Sequence, residues 1–445
     1  MSEMNEREQE RREERRKRRI RNQIMAYMVV VVFVAALLTG GFFAGKYVVD
    51  KNRQKKQAEL VDKIQEEIEV SENDIVLTEP ETEPVEPQIS YEEKADAVVD
   101  AAIEVMPLED KVAGLFLVTP ESITGVNTAI KAGDGTKSAL EKYAVGGLVY
   151  SGKNIQSEEQ FTEMLQNTVN WSKYPLFMAV QEEGGADSVV GKSAIQTEEV
   201  LSASEVAASG DTAQAYAAGT TVGGYLSRLG LNVDLAPVSD VAREDGRDFG
   251  SRIYGSDAAT VAGYAVQMVN GLQDAGVSAC MKHFPGLTST TEDPAKEMAV
   301  TQKTADDFRA NEFQVYQQGI AAGVDMIMVS QIAAPQITGD NTPCALSAAV
   351  VTDLLRKELQ YDGIILSDAM DQAAITEYYS ADEAAVMALR AGCDMIYMPE
   401  NFEKAYQGVL DAVQNGTIAE ERIDDALRRI YRVKLRDTIA QQLGE

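Results

Sequence analysis

One histidine, His283, serves all 445 residues, alongside three cysteines and a single tryptophan. Chemistry that needs a side chain titrating near neutrality therefore has hardly any other position to use. Cys280, Cys344 and Cys393 are too few for a disulfide framework, and each lies among apolar residues, where a small buried thiol is the ordinary role. With no Cys-x-x-Cys pair and no histidine tract, no metal is expected. Basic residues are short as well: 41 Lys and Arg stand against 71 Asp and Glu, a net charge of −30. That balance argues against nucleic acid as a partner, because a phosphate backbone is gripped by clustered cations.

The amino terminus is the exception to the shortage of cations. Residues 1–23 form a basic tail ending in Arg15-Arg16-Lys17-Arg18-Arg19-Ile20-Arg21, and no charge appears from Ile24 to Gly45. An apolar run of that length suits a bilayer span, which needs about 20 residues. The basic block would keep the tail in the cytoplasm, so residues 24–45 are expected to be an uncleaved single-pass transmembrane anchor in the cell membrane, with everything after it extracellular. Residues 46–90 are expected to be a stalk and an acidic linker. Leu60, Ile64 and Ile68 recur at helical spacing, and Glu79-Pro80-Glu81-Thr82-Glu83-Pro84-Val85-Glu86-Pro87 can neither pack a core nor hold a helix.

From residue 91 to 445 short aliphatic runs alternate with helical patterns. The runs are Leu115 to Val118, Gly147 to Tyr150, Leu176 to Val180, Val233 to Ala236, Val277 to Cys280, Met326 to Val329, Gly363 to Leu366 and Met395 to Met398. Eight strands alternating with helices predict an α/β fold of the (β/α)8 TIM-type barrel class, with a doubly wound open sheet as the alternative. No glycine-rich phosphate loop follows an early strand, which counts against a nucleotide-binding sheet, and no cofactor is expected.

In a barrel, function gathers where the strands end. The residues there are Thr119, Ser151, Gln181 with Glu183, Asp240, Lys282 with His283, Ser330 with Gln331, Asp368 and Glu400. Such a ring of amides, carboxylates and hydroxyls suits a neutral polyol such as a sugar. The competing reading is that several of them, Ser367-Asp368 among them, only cap the helices that follow.

Lys282-His283-Phe284-Pro285-Gly286 is similar to the most characteristic motif of family 3 glycoside hydrolases, in the single-barrel branch that includes bacterial β-N-acetylhexosaminidases. Pro107-Leu108-Glu109-Asp110-Lys111-Val112 resembles that family's opening helix, and Val145-Gly146-Gly147-Leu148-Val149 with Asn154 its second strand. Asn232-Val233-Asp234-Leu235-Ala236-Pro237-Val238 with Asp240 resembles the fourth strand, Leu346-Ser347 through Leu366-Ser367-Asp368 the segment leading to the nucleophile, and Ala391-Gly392-Cys393-Asp394-Met395 the last strand. The resemblance implies retaining hydrolysis of a β-glycoside, so the expected partner is a carbohydrate, with peptidoglycan-derived fragments and other β-glycans both open. It implies Asp368 as the nucleophile and Lys282, His283 and Arg252 as residues that hold the sugar, with Gln181, Glu183 and Gln331 at further substrate-binding positions.

The departures fall on the sugar-facing side. Where this branch carries its acid/base histidine the chain has Ala295, and Asp293 stands in place of the assisting aspartate. Gln181 and Ala186 replace the aspartate and arginine of an Asp-x-Glu-Gly-Gly-Arg motif, and Gln331 stands where relatives often show histidine. Glu292, Asp293 or Glu297 would then have to supply the proton, with Glu292 and Asp293 the chief candidates. Otherwise the barrel binds envelope glycan without cutting it.

Overall fold

The computed structural model describes residues 91–443, and the expected tail (1–23), anchor (24–45) and stalk and linker (46–90) lie outside them. The chain divides into two units, Met1–Val98 and Val99–Glu445, and all eight strands belong to the second. These are β1 (Phe116–Val118), β2 (Gly147–Val149), β3 (Phe177–Val180), β4 (Val233–Asp234), β5 (Ser278–Phe284), β6 (Met326–Val329), β7 (Ile364–Ser367) and β8 (Ile396–Tyr397). Every neighbouring pair is parallel, in the order β7-β6-β5-β4-β3-β2-β1-β8. A parallel bridge from Leu366 to Met395 joins the two ends of that order, with Ser367 N donating to Met395 O at 3.0 Å. This is the expected TIM-type barrel.

The strands are short because each is buried on both faces and bounded by a glycine or polar break. All residues of β1, β2, β3, β6 and β7 are buried, which is why they read as unbroken aliphatic runs rather than alternating ones. Helices between them start on side-chain caps. Ser157 Oγ accepts from Gln160 N at 3.2 Å, and the carboxylate of Asp257 accepts from Thr260 N at 2.8 Å, satisfying N–H groups that the first helical turn leaves unpaired.

β5 differs from expectation. It runs on to Phe284 rather than stopping at Cys280, because pairing continues: Ser239 N donates to Lys282 O at 2.6 Å and Ser330 N to Phe284 O at 2.8 Å. The register against β6 shifts between Lys282 and Phe284, so His283 is the extra residue of a bulge. Bulges of this kind re-aim side chains at functional ends of strands.

The expected single-pass membrane location is corrected. No helix among the described residues is long and apolar enough to cross a membrane. The longest there, Ala213–Leu229 and Ala258–Asp274, have 17 residues each and pack on each other, the second also against β5. A lipid bilayer partner held through an N-terminal helix has no support among the described residues, and neither has the extracellular placement that followed from it.

Candidate active site

Three charged side chains from different strand ends form one buried cluster. Glu183, just after β3, receives two hydrogen bonds from the Arg252 guanidinium, Nε to Oε2 at 2.6 Å and Nη2 to Oε1 at 2.8 Å. Lys282 Nζ lies 2.6 Å from the same Oε1, with both side chains almost wholly buried. Burial alone would push the Glu183 carboxyl up. Lys282 and Arg252 outweigh it and hold the group at about 2. The Lys282 ammonium is paired with Glu183 and meets no other acceptor among the described residues. An ammonium has three donors, so it can take a ligand oxygen as well.

His283 has a different support. Its Nδ1 lies 2.7 Å from Asp240 Oδ2, and the other oxygen of that carboxylate accepts from Leu287 N at 2.6 Å. A carboxylate only accepts, so Nδ1 carries the proton and Nε2 is the nitrogen left for other work. The His283 ring lies 5.8 Å from that of Phe249, over which the guanidiniums of Arg247 and Arg252 sit at 5.2 and 5.0 Å. Phe249 thus joins the histidine to the charged cluster. Behind the turn, Gly286 has a φ of 149°, and a Cβ there would come within 2.9 Å of Glu312 Cγ. Glu312 is fully buried and pairs with Arg243 at 2.8 Å; burial pushes its carboxyl up despite that partner.

Asp368 follows β7 and is 6% exposed. Its main chain is tied on both sides, with its N–H donating to Val329 O at 2.8 Å and its carbonyl accepting from Gln331 Nε2 at 2.8 Å, while Ala369 N donates to its Oδ1 at 2.7 Å. The register places Lys282 level with Met328 and Leu366, so Lys282 and Asp368 stand two steps apart along the sheet with the same facing. Charges on both residues reach the buried Cys280 thiol, which burial pushes up to about 12. Gln181, at the end of β3, is half-buried.

The two candidate proton donors have partners of their own. Burial raises Asp293, but a 2.6 Å bond from Arg247 and further bonds from Ala295 N and Lys296 hold it below its ordinary range. Glu292 is held low chiefly by the Thr290 hydroxyl. Their loop is fastened as well: Thr288 Oγ1 donates to Val241 O at 2.7 Å, and a Cβ on Gly246 would collide with the Thr288 main-chain oxygen.

Sequence reasoning missed four contributors. Phe249 and Arg247 carried a signal, an aromatic bracketed by arginines in Arg247-Asp248-Phe249-Gly250-Ser251-Arg252. Asp371, three residues past Asp368, is raised by burial and by the nearby charges of Asp368 and Glu400. Asp234 is fully buried, and burial drives its carboxyl well above the usual range, although Glu182 N donates to its Oδ1 at 2.8 Å.

Residues 107–433 match the glycosyl hydrolase family 3 N terminal domain. The chain belongs to that family. A beta-N-acetylglucosaminidase/beta-glucosidase from Cellulomonas fimi is 28% identical over 65% of this chain and 52% of its own length. A beta-hexosaminidase from Idiomarina loihiensis is 30% identical over 69% of this chain and 93% of its own. The solved family 3 beta-N-acetylglucosaminidase from Paenibacillus sp. str. FPU-7 superimposes with a TM-score of 0.69 at 30% identity, covering 75% of this chain and 63% of that one. The chain thus spans about half the length of the Cellulomonas relative.

Proposed function

We propose that this protein is a glycosidase of the β-N-acetylhexosaminidase type, cleaving a β-linked N-acetylhexosamine, cell-wall glycan included, with retention. The observation that carries the reading is Asp368: a carboxylate almost closed to solvent and fixed through its own N–H and C=O, at the barrel end that also carries the Lys282, Glu183 and Arg252 cluster. An attacking group held in one place needs little reorganisation to reach the anomeric carbon. Its Oδ1 takes the Ala369 N–H at 2.7 Å, which fixes the orientation of the carboxyl. Lys282 and Arg252, locked against Glu183, would hold sugar hydroxyls beside it, with His283 steadied by Asp240.

Forming the glycosyl-enzyme needs an acid to protonate the leaving oxygen, and its hydrolysis needs the same group as a base for water. Glu292 and Asp293 are the donors proposed from the sequence, and their low-lying carboxyls favour a second reading in which the barrel binds glycan and turns it over poorly. An aryl β-N-acetylglucosaminide with a good leaving group separates the two, because it leaves with little proton assistance. The glycosidase reading expects release of the phenol, with Asp368→Asn slower by on the order of 10⁴-fold, the loss seen when a catalytic carboxylate is removed. Equal traces from wild type and Asp368→Asn would end it.

A further inference from the structure

Arg247 pins the loops after β4 and β5 to each other. Its main-chain N–H donates to Thr290 O at 2.7 Å and its Nη1 to Asp293 Oδ1 at 2.6 Å. The next residue, Pro294, accepts from Ala374 N at 2.9 Å, and Ala374 lies in the short helix Ala373–Thr376 that follows Asp368. The loops after β4, β5 and β7 are therefore joined at one rim around the strand ends.

Asp293 occupies one corner of the Arg247 guanidinium. The Nε–Nη2 edge has no acceptor among the described residues. That edge presents two parallel N–H bonds, the pair that matches the two oxygens of a carboxylate. Arg252, over the same Phe249 ring, shows the filled state, with Nε and Nη2 both taken by Glu183. The Arg247 side chain is 27% exposed, which leaves it open to a solute. A protein with 71 acidic against 41 basic residues repels anions at large, so a carboxylate seated here is held by this local fork.

The reaction says which part of a substrate would bring the carboxylate. Displacement at an anomeric carbon puts nucleophile and leaving group on opposite faces of the ring. With Asp368 at the strand ends, the departing sugar points outward, toward the rim that Arg247 holds.

We infer that the Nε–Nη2 edge of Arg247 is a binding site for a carboxylate on the departing sugar, which makes acidic β-glycans the preferred substrates. This rests on the glycosidase reading of the site. Two kinds of sugar carry such a group: a uronic acid at C6, and muramic acid on its ether-linked side chain.

The test is calorimetric titration of the full chain carrying Asp368→Asn, which leaves the probes uncut. The probes are N-acetylglucosamine β-linked to glucuronic acid and to muramic acid, each beside its own methyl ester, and neutral N,N′-diacetylchitobiose. An acid is expected to bind about tenfold tighter than its ester, between what an exposed ion pair and a charged hydrogen bond contribute. The pair that shows this preference identifies the sugar. Adding Arg247→Gln should bring acid and ester within about twofold, while the affinity for diacetylchitobiose changes by less than about threefold. Arg247→Lys keeps the charge and loses the fork, so its acid-to-ester ratio should fall at least about threefold; it decides the matter where Arg247→Gln does not fold. An undiminished ratio in either variant would overturn the inference. So would equal affinities for acid and ester in both pairs, a result that needs no change at Arg247. A protein that binds none of the probes would instead remove the carbohydrate reading, and this inference with it.

Discussion

The two ends of the barrel treat buried polar groups differently. At the N-terminal ends of the strands two buried carboxylates are met by guanidiniums. Asp394, ahead of β8, is fully buried and receives Arg356 at 2.6 Å, with Arg429 at 3.4 Å and Arg422 at 3.5 Å, and Asp325, ahead of β6, pairs with Arg436. At the C-terminal ends Asp234 Oδ2, Ser330 Oγ and Gln331 Oε1 are buried without hydrogen-bond partners among the described residues, and Lys282 Nζ has Glu183 alone. The two carboxylates at the first end are paired in the free protein. The second lacks groups that a ligand would bring, and stability is given up there for binding.

The missing proton donor is the sharpest mark of incompleteness, and restoring it should give the largest effect. Ala295→His, placing an imidazole beside Asp293, is expected to speed hydrolysis of an unactivated β-N-acetylglucosaminide by about 10²- to 10⁴-fold, the usual worth of general acid catalysis. The rate on the activated aryl glycoside should stay within a few-fold. A disaccharide rate that does not move would mean that this loop does not reach the leaving group. At the other end, Asp394→Ala leaves guanidiniums facing a void and should cost about 3–5 kcal/mol of stability, read by urea unfolding, as broken buried ion pairs do. Its effect on sugar affinity should be under twofold. A large loss of affinity there would dissolve the division between the two ends.

The sequence carried the barrel because its evidence is local: eight buried strands are eight aliphatic runs, and the runs at Met326 to Val329 and Gly363 to Leu366 differ from the observed strands by at most a residue at either end. It carried the Lys282-His283 motif for the same reason. The partners were not legible. Glu183 and Arg252 are 69 residues apart and Asp293 and Arg247 are 46 apart, and only the closed barrel brings them together. The extension of β5 was hidden because polar Lys282 and His283 resemble a strand end, whereas main-chain pairing with Ser239 and Ser330 carries the strand through them.

The smallest effect tests whether the charged cluster is as tight as its distances imply. Glu183 titrates at about 2 in the folded protein against an ordinary 4.5. A carboxyl depressed by folding contributes stability that is fully present above its unfolded value and is lost as pH falls through the folded one. The window is therefore pH 4.5 down to 2, and the shift corresponds to about 3 kcal/mol. Asp234 and Glu312, both raised by burial, act in the opposite sense, since their protonation on acidification relieves an unfavourable buried charge. Other depressed carboxylates, Asp293 among them, contribute alongside Glu183, so the comparison that isolates it is between wild type and Glu183→Gln. The wild-type melting temperature should fall more steeply than the variant's below pH 4.5, while the variant starts lower because Lys282 and Arg252 have lost their counter-charge. Parallel curves would mean that solvent screens the cluster, and that Lys282 is not held in the buried, ligand-ready state on which the contrast between the two ends depends.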